Sequence, residues 1–355
     1  MSIKIKKLKI ENLFEIKDVE WDLNDVTVLV GKNGSGKSTI LNIMKSLMMQ
    51  EADKALYKCS DSEISFDDGS MIKHHDLPLD TNQLKSFMEL MQSIVSKNNK
   101  KLKSKNSDIT KIGSEIKKLN EVMSGIEVGD KKRLIKTGVF QIKRSSDANL
   151  RKIEASDLDK IEINEDEYGE GEGRKFDIPF EYISTINMSA NSLNEVKSSD
   201  GNRTTVLDME INKEILRLRE MSKENRNLFV QTKERFVDSI NSLFSESDKE
   251  VLFEDRISFK STINNKKLSI KDLSSGERQL VYTFLKASIA AQNDAILLMD
   301  EPEISLHLAW QEKLIENLRK INPNGQIIIV THSPAVVMNG WMNSYVDIKN
   351  IEKRH

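Results

Sequence analysis

Apolar residues recur along this chain with two periods, and the periods separate strands from helices. The opening, Ile3-Lys4-Ile5-Lys6-Lys7-Leu8-Lys9-Ile10, alternates apolar and basic positions, the pattern of a strand with one solvated face. A second strand is expected over Val19 to Leu23. Val26-Thr27-Val28-Leu29-Val30 is instead a continuous β-branched and apolar run, as for a strand covered on both faces of a parallel sheet. A glycine-rich turn follows, after which Ile40, Leu41, Met44, Leu47 and Met48 recur at helical spacing.

Between about Thr81 and Met123 the apolar positions, from Leu84 and Phe87 to Leu119 and Met123, step by threes, fours and sevens. That spacing predicts a helix or helical hairpin with a coiled-coil-like seam. Phe180 to Ile186 alternates again and leads into a polar loop near Arg203, and one long helix is expected from about Leu207 to Phe244. The chain then predicts a helix over Ser275 to Gln292, a strand over Ala295 to Met299, a helix near Ser305 to Lys320 and a strand over Gln326 to Val330.

Charge changes the reading of the middle. The net charge is −2, so no global positive field points to nucleic acid or membrane. Locally, however, Lys97 to Lys118 carries +6, Lys131 to Lys152 carries +7, and Glu154 to Glu172 reverses to −8. This section reads as an insertion projecting from a core. Its basic part either contacts DNA, RNA or an acidic partner or is a solvated face. Phe140 is its lone aromatic candidate for base stacking, which argues against single-strand binding. The acidic part is most simply a loop. The single cysteine, Cys59, excludes an internal disulfide and suits a reducing compartment. No apolar run approaches the length needed to span a bilayer, and the N-terminus lacks a signal-peptide core, so a cytoplasmic location is expected.

Four motifs carry the chemistry. Gly31-Lys32-Asn33-Gly34-Ser35-Gly36-Lys37-Ser38 fits G-x-x-x-x-G-K-[ST] between a strand and a helix, with Thr39 next. Glycines there let backbone N–H groups curl around phosphate oxygens at a helix N-terminus. Lys37 is expected to reach the β- and γ-phosphates of ATP, and Ser38 to ligate Mg²⁺. Ile296-Leu297-Leu298-Met299-Asp300-Glu301 is a buried strand ending in two carboxylates, where an open α/β sheet places ligands. Asp300 is read as the Mg²⁺-side carboxylate and Glu301 as the group that polarises the attacking water. Leu273-Ser274-Ser275-Gly276-Glu277-Arg278-Gln279 opens an apolar helix, which Ser274 or Ser275 would cap. Thr331-His332-Ser333-Pro334 ends the last apolar strand.

The serine turn lies 26 residues before Asp300 and closely resembles the LSGGQ signature of ABC-type ATPases, with Ser275 at the first glycine and Glu277 at the glutamine. His332 resembles that family's switch histidine. Lys37 and Ser274 lie 237 residues apart, farther than in transporter subunits, and the layout is similar to the SMC/RecF group. Asp300-Glu301-Pro302-Glu303-Ile304-Ser305-Leu306-His307, running into Trp310-Gln311, resembles more closely the OLD-type and PtuA-like ATPases of Septu and retron defence systems. The resemblance covers roughly 1–80 and 250–340. It departs at Asn12-Leu13-Phe14-Glu15, where many relatives carry a basic residue, and in having no assignable Q-loop glutamine, whose place would be near Asn187.

The resemblance implies an α/β ABC-ATPase head of the P-loop class with a mixed sheet, formed by 1–80 and 176–355 with the long helix between its lobes, and a charged helical insertion at 81–175. It implies a homodimer in which Ser274, Ser275, Gly276 and Glu277 of one copy meet the γ-phosphate held by Asn33 to Thr39 of the other. Only 23 residues follow His332, too few for the TOPRIM nuclease of OLD proteins, and the five histidines form no HNH-like set. The expected function is therefore an ATP-driven switch in anti-phage defence that controls a separate effector, such as an HNH nuclease or a retron reverse transcriptase with its RNA. The alternative is a RecF- or SMC-like clamp on duplex DNA.

Overall fold

The computed structural model describes residues 2–51, 53–79, 135–143, 177–184, 188, 194–197, 203–223, 225–253 and 257–355. The chain divides into two compact units, 1–74 with 140–355, and 75–139. The expected seam over 81–123, the acidic block and the Asn187 region lie outside the described residues, as does most of the 81–175 insertion. The described stretch of that insertion, Ile135–Lys143, is a strand rather than a helix.

Three strands open the chain: β1 (Ile5–Leu13), β2 (Lys17–Asp22) and β3 (Val26–Val30). Helix α1 (Lys37–Met49) follows, then β4 (Asp61–Phe66), β5 (Met71–Leu79) and β6 (Ile135–Lys143). β7 (Phe180–Ser184) precedes a small hairpin of β8 (Glu195–Lys197) and β9 (Arg203–Thr205). Next come α2 (Val206–Met221) and α3 (Arg226–Phe244), where one long helix was expected. The break has a local cause: Asn225 leaves the helical conformation and its side chain accepts from the Leu228 N–H, starting a new helix. β10 (Lys249–Phe253), β11 (Ile257–Ser261) and β12 (Lys267–Leu268) form an antiparallel sheet that the apolar pattern does not reveal. The chain ends with α4 (Ser275–Gln292), β13 (Ile296–Asp300), α5 (Leu308–Ile321), β14 (Ile327–Thr331), the short α6 (Ala335–Met338), β15 (Tyr345–Asp347) and β16 (Glu352–Arg354).

Strands of both senses are sorted into separate sheets. One is parallel, in the order β15-β3-β14-β13-β7, and the other, β16-β2-β1-β4-β5-β6, has antiparallel pairings at β16-β2, β2-β1 and β1-β4. The period of two along the parallel strands divides the interior. Val26, Val28, Leu297, Met299, Ile327 and Ile329 face the core built with α2 to α5. Leu29, Ile296, Leu298, Ile328 and Val330 face the core built with α1 and the antiparallel sheet. β3, β13 and β14 are buried over their whole lengths. Their carboxyl ends therefore emerge side by side, at the edge where the phosphate loop, Asp300 and Thr331 stand. Among the described residues no helix is long and apolar enough to cross a membrane.

Candidate functional site

The loop after β3 turns into α1 through two left-handed glycines, Gly34 at φ 76° and Gly36 at φ 98°. A side chain at Gly36 would meet the Phe14 ring at 2.9 Å. Gly36 also offers α1 no side-chain cap, so the first-turn N–H groups keep their unanswered partial positive charge. Lys37 is buried and its ammonium donates back to the carbonyls of Gly31 at 2.8 Å and Lys32 at 3.1 Å. Ser35 Oγ is buried with no hydrogen-bond partner among the described residues. A cradle of amides, one cation and a spare hydroxyl fits an anionic phosphate chain.

The neighbouring strand end supplies carboxylates. Ser38 Oγ donates to Asp300 Oδ1 at 2.8 Å, tying the start of α1 to the end of β13. Burial pushes the Asp300 carboxyl up to about 6; the Ser38 bond opposes this and the charge of Glu301 adds to it. This hydroxyl–carboxylate pair is a set of hard oxygen donors that fits Mg²⁺. Glu301 itself has a left-handed backbone, φ 50°, and its N–H donates to the Val330 carbonyl at 2.8 Å. A non-glycine residue held there stores on the order of 1 kcal/mol of strain, a common feature of functional turns. His332, from the end of β14, places Nδ1 3.7 Å from Glu301 Oε1 and 3.2 Å from Glu303 Oε1.

Ser274 to Glu277 form a cluster of their own. Ser274 Oγ accepts from the Glu277 N–H at 3.2 Å while the Glu277 carboxylate accepts the Ser274 N–H at 2.7 Å, a complete capping box at the start of α4. Of the two serines the sequence offered as caps, it is Ser274 that serves. Lys249 from β10 pairs with Glu277 at 2.8 Å. Burial raises the Glu277 carboxyl, but the bonds from Lys249 and the Ser274 N–H outweigh it and the net shift is downward. Gly276 lies so close to the turn after β13 that an added Cβ would sit 2.6 Å from the Ser305 carbonyl oxygen. Its left-handed neighbour Ser305, φ 69°, shapes that turn.

Thus Ser38, Asp300, Glu301 and His332 are brought to one edge, beside the loop of Asn33 to Thr39, while Ser274 and Glu277 bond to one another and Glu277 to Lys249. Lys17 escaped the sequence reading. It is buried at the start of β2, donates to the Ser35 carbonyl at 2.9 Å and pairs with the buried Glu352 of β16. It thereby braces the loop from a position two residues beyond Asn12-Leu13-Phe14-Glu15. A lysine at a position of inward-facing alternation, between Glu15-Ile16 and Asp18-Val19, was its only signal.

A strand, an uncapped glycine loop, a helix and a carboxylate pair on a parallel sheet, in this order, define an ATPase of the P-loop class. The chain belongs to the AAA ATPase domain family, whose model matches residues 3–337. Among curated proteins it is 23% identical to the "Retron Ec83 probable ATPase" of Escherichia coli, over 94% of this chain and 69% of that protein. It is 27% identical to the "Retron Vc95 probable ATPase" of Vibrio cholerae over 32% of this chain and 24% of that protein. A segment of 53 residues is 38% identical to the Septu protein PtuA of Bacillus thuringiensis, covering 15% of this chain and 13% of PtuA. Among solved structures it is similar to an SMC head bound to the C-terminal winged-helix domain of ScpA (TM-score 0.48, 13% identity, 99% of this chain and 97% of that chain). It is also similar to the SMC head domain of Thermotoga maritima (TM-score 0.45, 15% identity, 95% and 92%).

Proposed function

We propose that this ATPase is a cytoplasmic switch of bacterial anti-phage defence, completed when two copies close head to tail around ATP. It would control a separate effector, such as an HNH nuclease or a reverse transcriptase with its RNA. Similarity to retron and Septu ATPases supports the defence setting. The observation that supports the two-copy reading is the contrast between two helix starts. One is open to phosphate at Lys37, and the other presents Ser274 on a fully capped frame bonded to Lys249. The proposed division of the chain is a head, 1–80 with 176–355, and an insertion, 81–175.

In this reading, Lys37 exchanges the carbonyls of Gly31 and Lys32 for β- and γ-phosphate oxygens. Ser38 and Asp300 hold Mg²⁺, which neutralises phosphate charge when bound. Glu301 accepts a proton from the water that attacks the γ-phosphorus as the bond to the ADP oxygen breaks. His332 contacts the γ-phosphate from the end of β14. Ser274, Ser275, Gly276 and Glu277 of the second copy close the site. The Glu301→Gln variant is then expected to bind ATP, hydrolyse it slowly and accumulate as a dimer in gel filtration. A monomer throughout, with ATP bound, would remove the composite site. Salt-sensitive duplex DNA binding, stimulated by ATP with no partner present, would favour the clamp reading instead.

A further inference from the structure

Glu303 has no part in holding phosphate, Mg²⁺ or water in the scheme above, yet it is among the most buried charged groups of the described chain, at 3% exposed. It lies in the turn between β13 and α5, two residues after Glu301. Its Oε1 accepts from the Thr331 hydroxyl and, at 3.3 Å, from the His332 N–H, and stands 3.2 Å from His332 Nδ1. Its Oε2 is buried with no hydrogen-bond partner among the described residues. Burying a carboxylate with half its acceptor capacity unused is unfavourable, and a neutral side chain of similar size would fill the space at lower cost. Such a group calls for a reason beyond packing.

Both sides of the Glu303–His332 contact are pinned. The Glu303 carbonyl accepts from the Leu306 N–H at 3.0 Å and from Gln311 Nε2 at 3.4 Å. Gln311 Oε1 accepts from Ser333 Oγ at 2.9 Å, and the Ser333 N–H donates to Thr331 Oγ1 at 2.9 Å. One glutamine therefore ties the turn that carries Glu303 to the turn that carries His332. An imidazole whose Nδ1 faces a buried carboxylate donates its proton there and leaves Nε2 as the outward ring atom. Glu301 Oε1, 3.7 Å from the same Nδ1, is beyond hydrogen-bond reach.

We propose that Glu303 is the positioning residue of His332: it accepts from Nδ1–H and fixes the ring with Nε2 outward, so that the ring, when it carries a second proton at Nε2, donates to the γ-phosphate, while Glu301 is left free to face water. The inference rests on the reading of His332 as a γ-phosphate contact. Glu303→Gln keeps the volume of the side chain and removes the charge that selects the tautomer. In the full chain with Mg²⁺ and ATP it is expected to slow kcat about tenfold while KM changes by less than about twofold. Combined with His332→Ala it is expected to cause no further loss beyond His332→Ala alone, the signature of two residues acting as one. The Glu303→Asp variant, which retains the charge, is expected to recover part of the rate. Nitrogen-15 spectra of the His332 ring without nucleotide, assigned by comparison with His332→Ala at about pH 8, where a free imidazole is neutral, are expected to report the Nδ1–H tautomer in the parent and a mixture in Glu303→Gln. Additive losses in the double variant, or an unchanged tautomer in Glu303→Gln, would overturn the proposal. If His332→Ala turns over ATP as fast as the parent, the γ-phosphate reading of His332 fails by itself, and the ring spectrum alone decides whether Glu303 positions it.

Discussion

Two helix starts carry the candidate chemistry, and they differ in how their backbone amides are answered. α1 begins at Gly36 in a left-handed conformation, with no side-chain cap and no acidic residue in its first turn. α4 begins at Ser274 with a complete capping box, and Glu277 is further neutralised by Lys249. The first keeps the orphan N–H groups and partial positive charge that every helix start possesses, while the second answers one of its first-turn amides, the Glu277 N–H, within the chain. α1 gains from a bound phosphate, whereas α4 holds Ser274, Ser275 and Gly276 in a fixed frame without one.

Lys37 is where this difference is most completely broken. Lys37→Ala removes the cation expected to meet the β- and γ-phosphates, and ATP affinity measured by calorimetry is expected to fall by about 100-fold or more. A change of less than about threefold would mean that phosphate is held elsewhere. At α4 the expected effect is of another kind. Ser274→Arg fills the turn with a long side chain, so turnover is expected to drop by about 100-fold while ATP affinity in the same chain stays within about threefold. Ser274→Ala, by contrast, removes only the cap and is expected to lower stability by about 1 kcal/mol in denaturant unfolding.

Asp300 sharpens the contrast through pH. Burial holds its carboxyl up to about 6, whereas the ordinary value is 3.8. Between those values the folded protein keeps a proton that the unfolded chain has released, so stability falls as pH rises through the window and levels off above it. Asp300→Asn cannot ionise. Relative to the parent, in the absence of Mg²⁺ and nucleotide, it is expected to gain on the order of 1–3 kcal/mol between about pH 4 and about pH 7.5. A pH-independent difference in unfolding free energy would show that Asp300 is ionised in the fold at ordinary acid pH.

Long periodic segments and glycine motifs were legible because their signals are local. α4 spans Ser275–Gln292 as the apolar spacing and serine start predict, and β3 and β13 follow from unbroken apolar runs. The break between α2 and α3 was not, since apolar spacing continues across Ser222 to Asn225 and only the Asn225 cap distinguishes a stop from a continuation. β10 to β12 are short and charge-rich, with Lys249, Glu250, Lys260 and Lys267 in their strands, so periodicity had little to register. In the site, each motif was readable but its neighbours were not. Lys17 reaches the Ser35 carbonyl and Glu303 reaches His332 only through the crossing of distant strands. The Asp-Glu-Pro-Glu phrase announced carboxylates without saying which would face the histidine.

The division of one phosphate site between two copies is tested most directly by mixing two inactive proteins. Lys37→Ala has a broken cradle and an intact serine turn; Ser274→Arg has the reverse. Random pairing makes about half of the dimers mixed, each with one site built from two intact halves, so ATPase activity is expected to return to about a quarter of the parent rate. A mixture no more active than the sum of its two components would contradict the account.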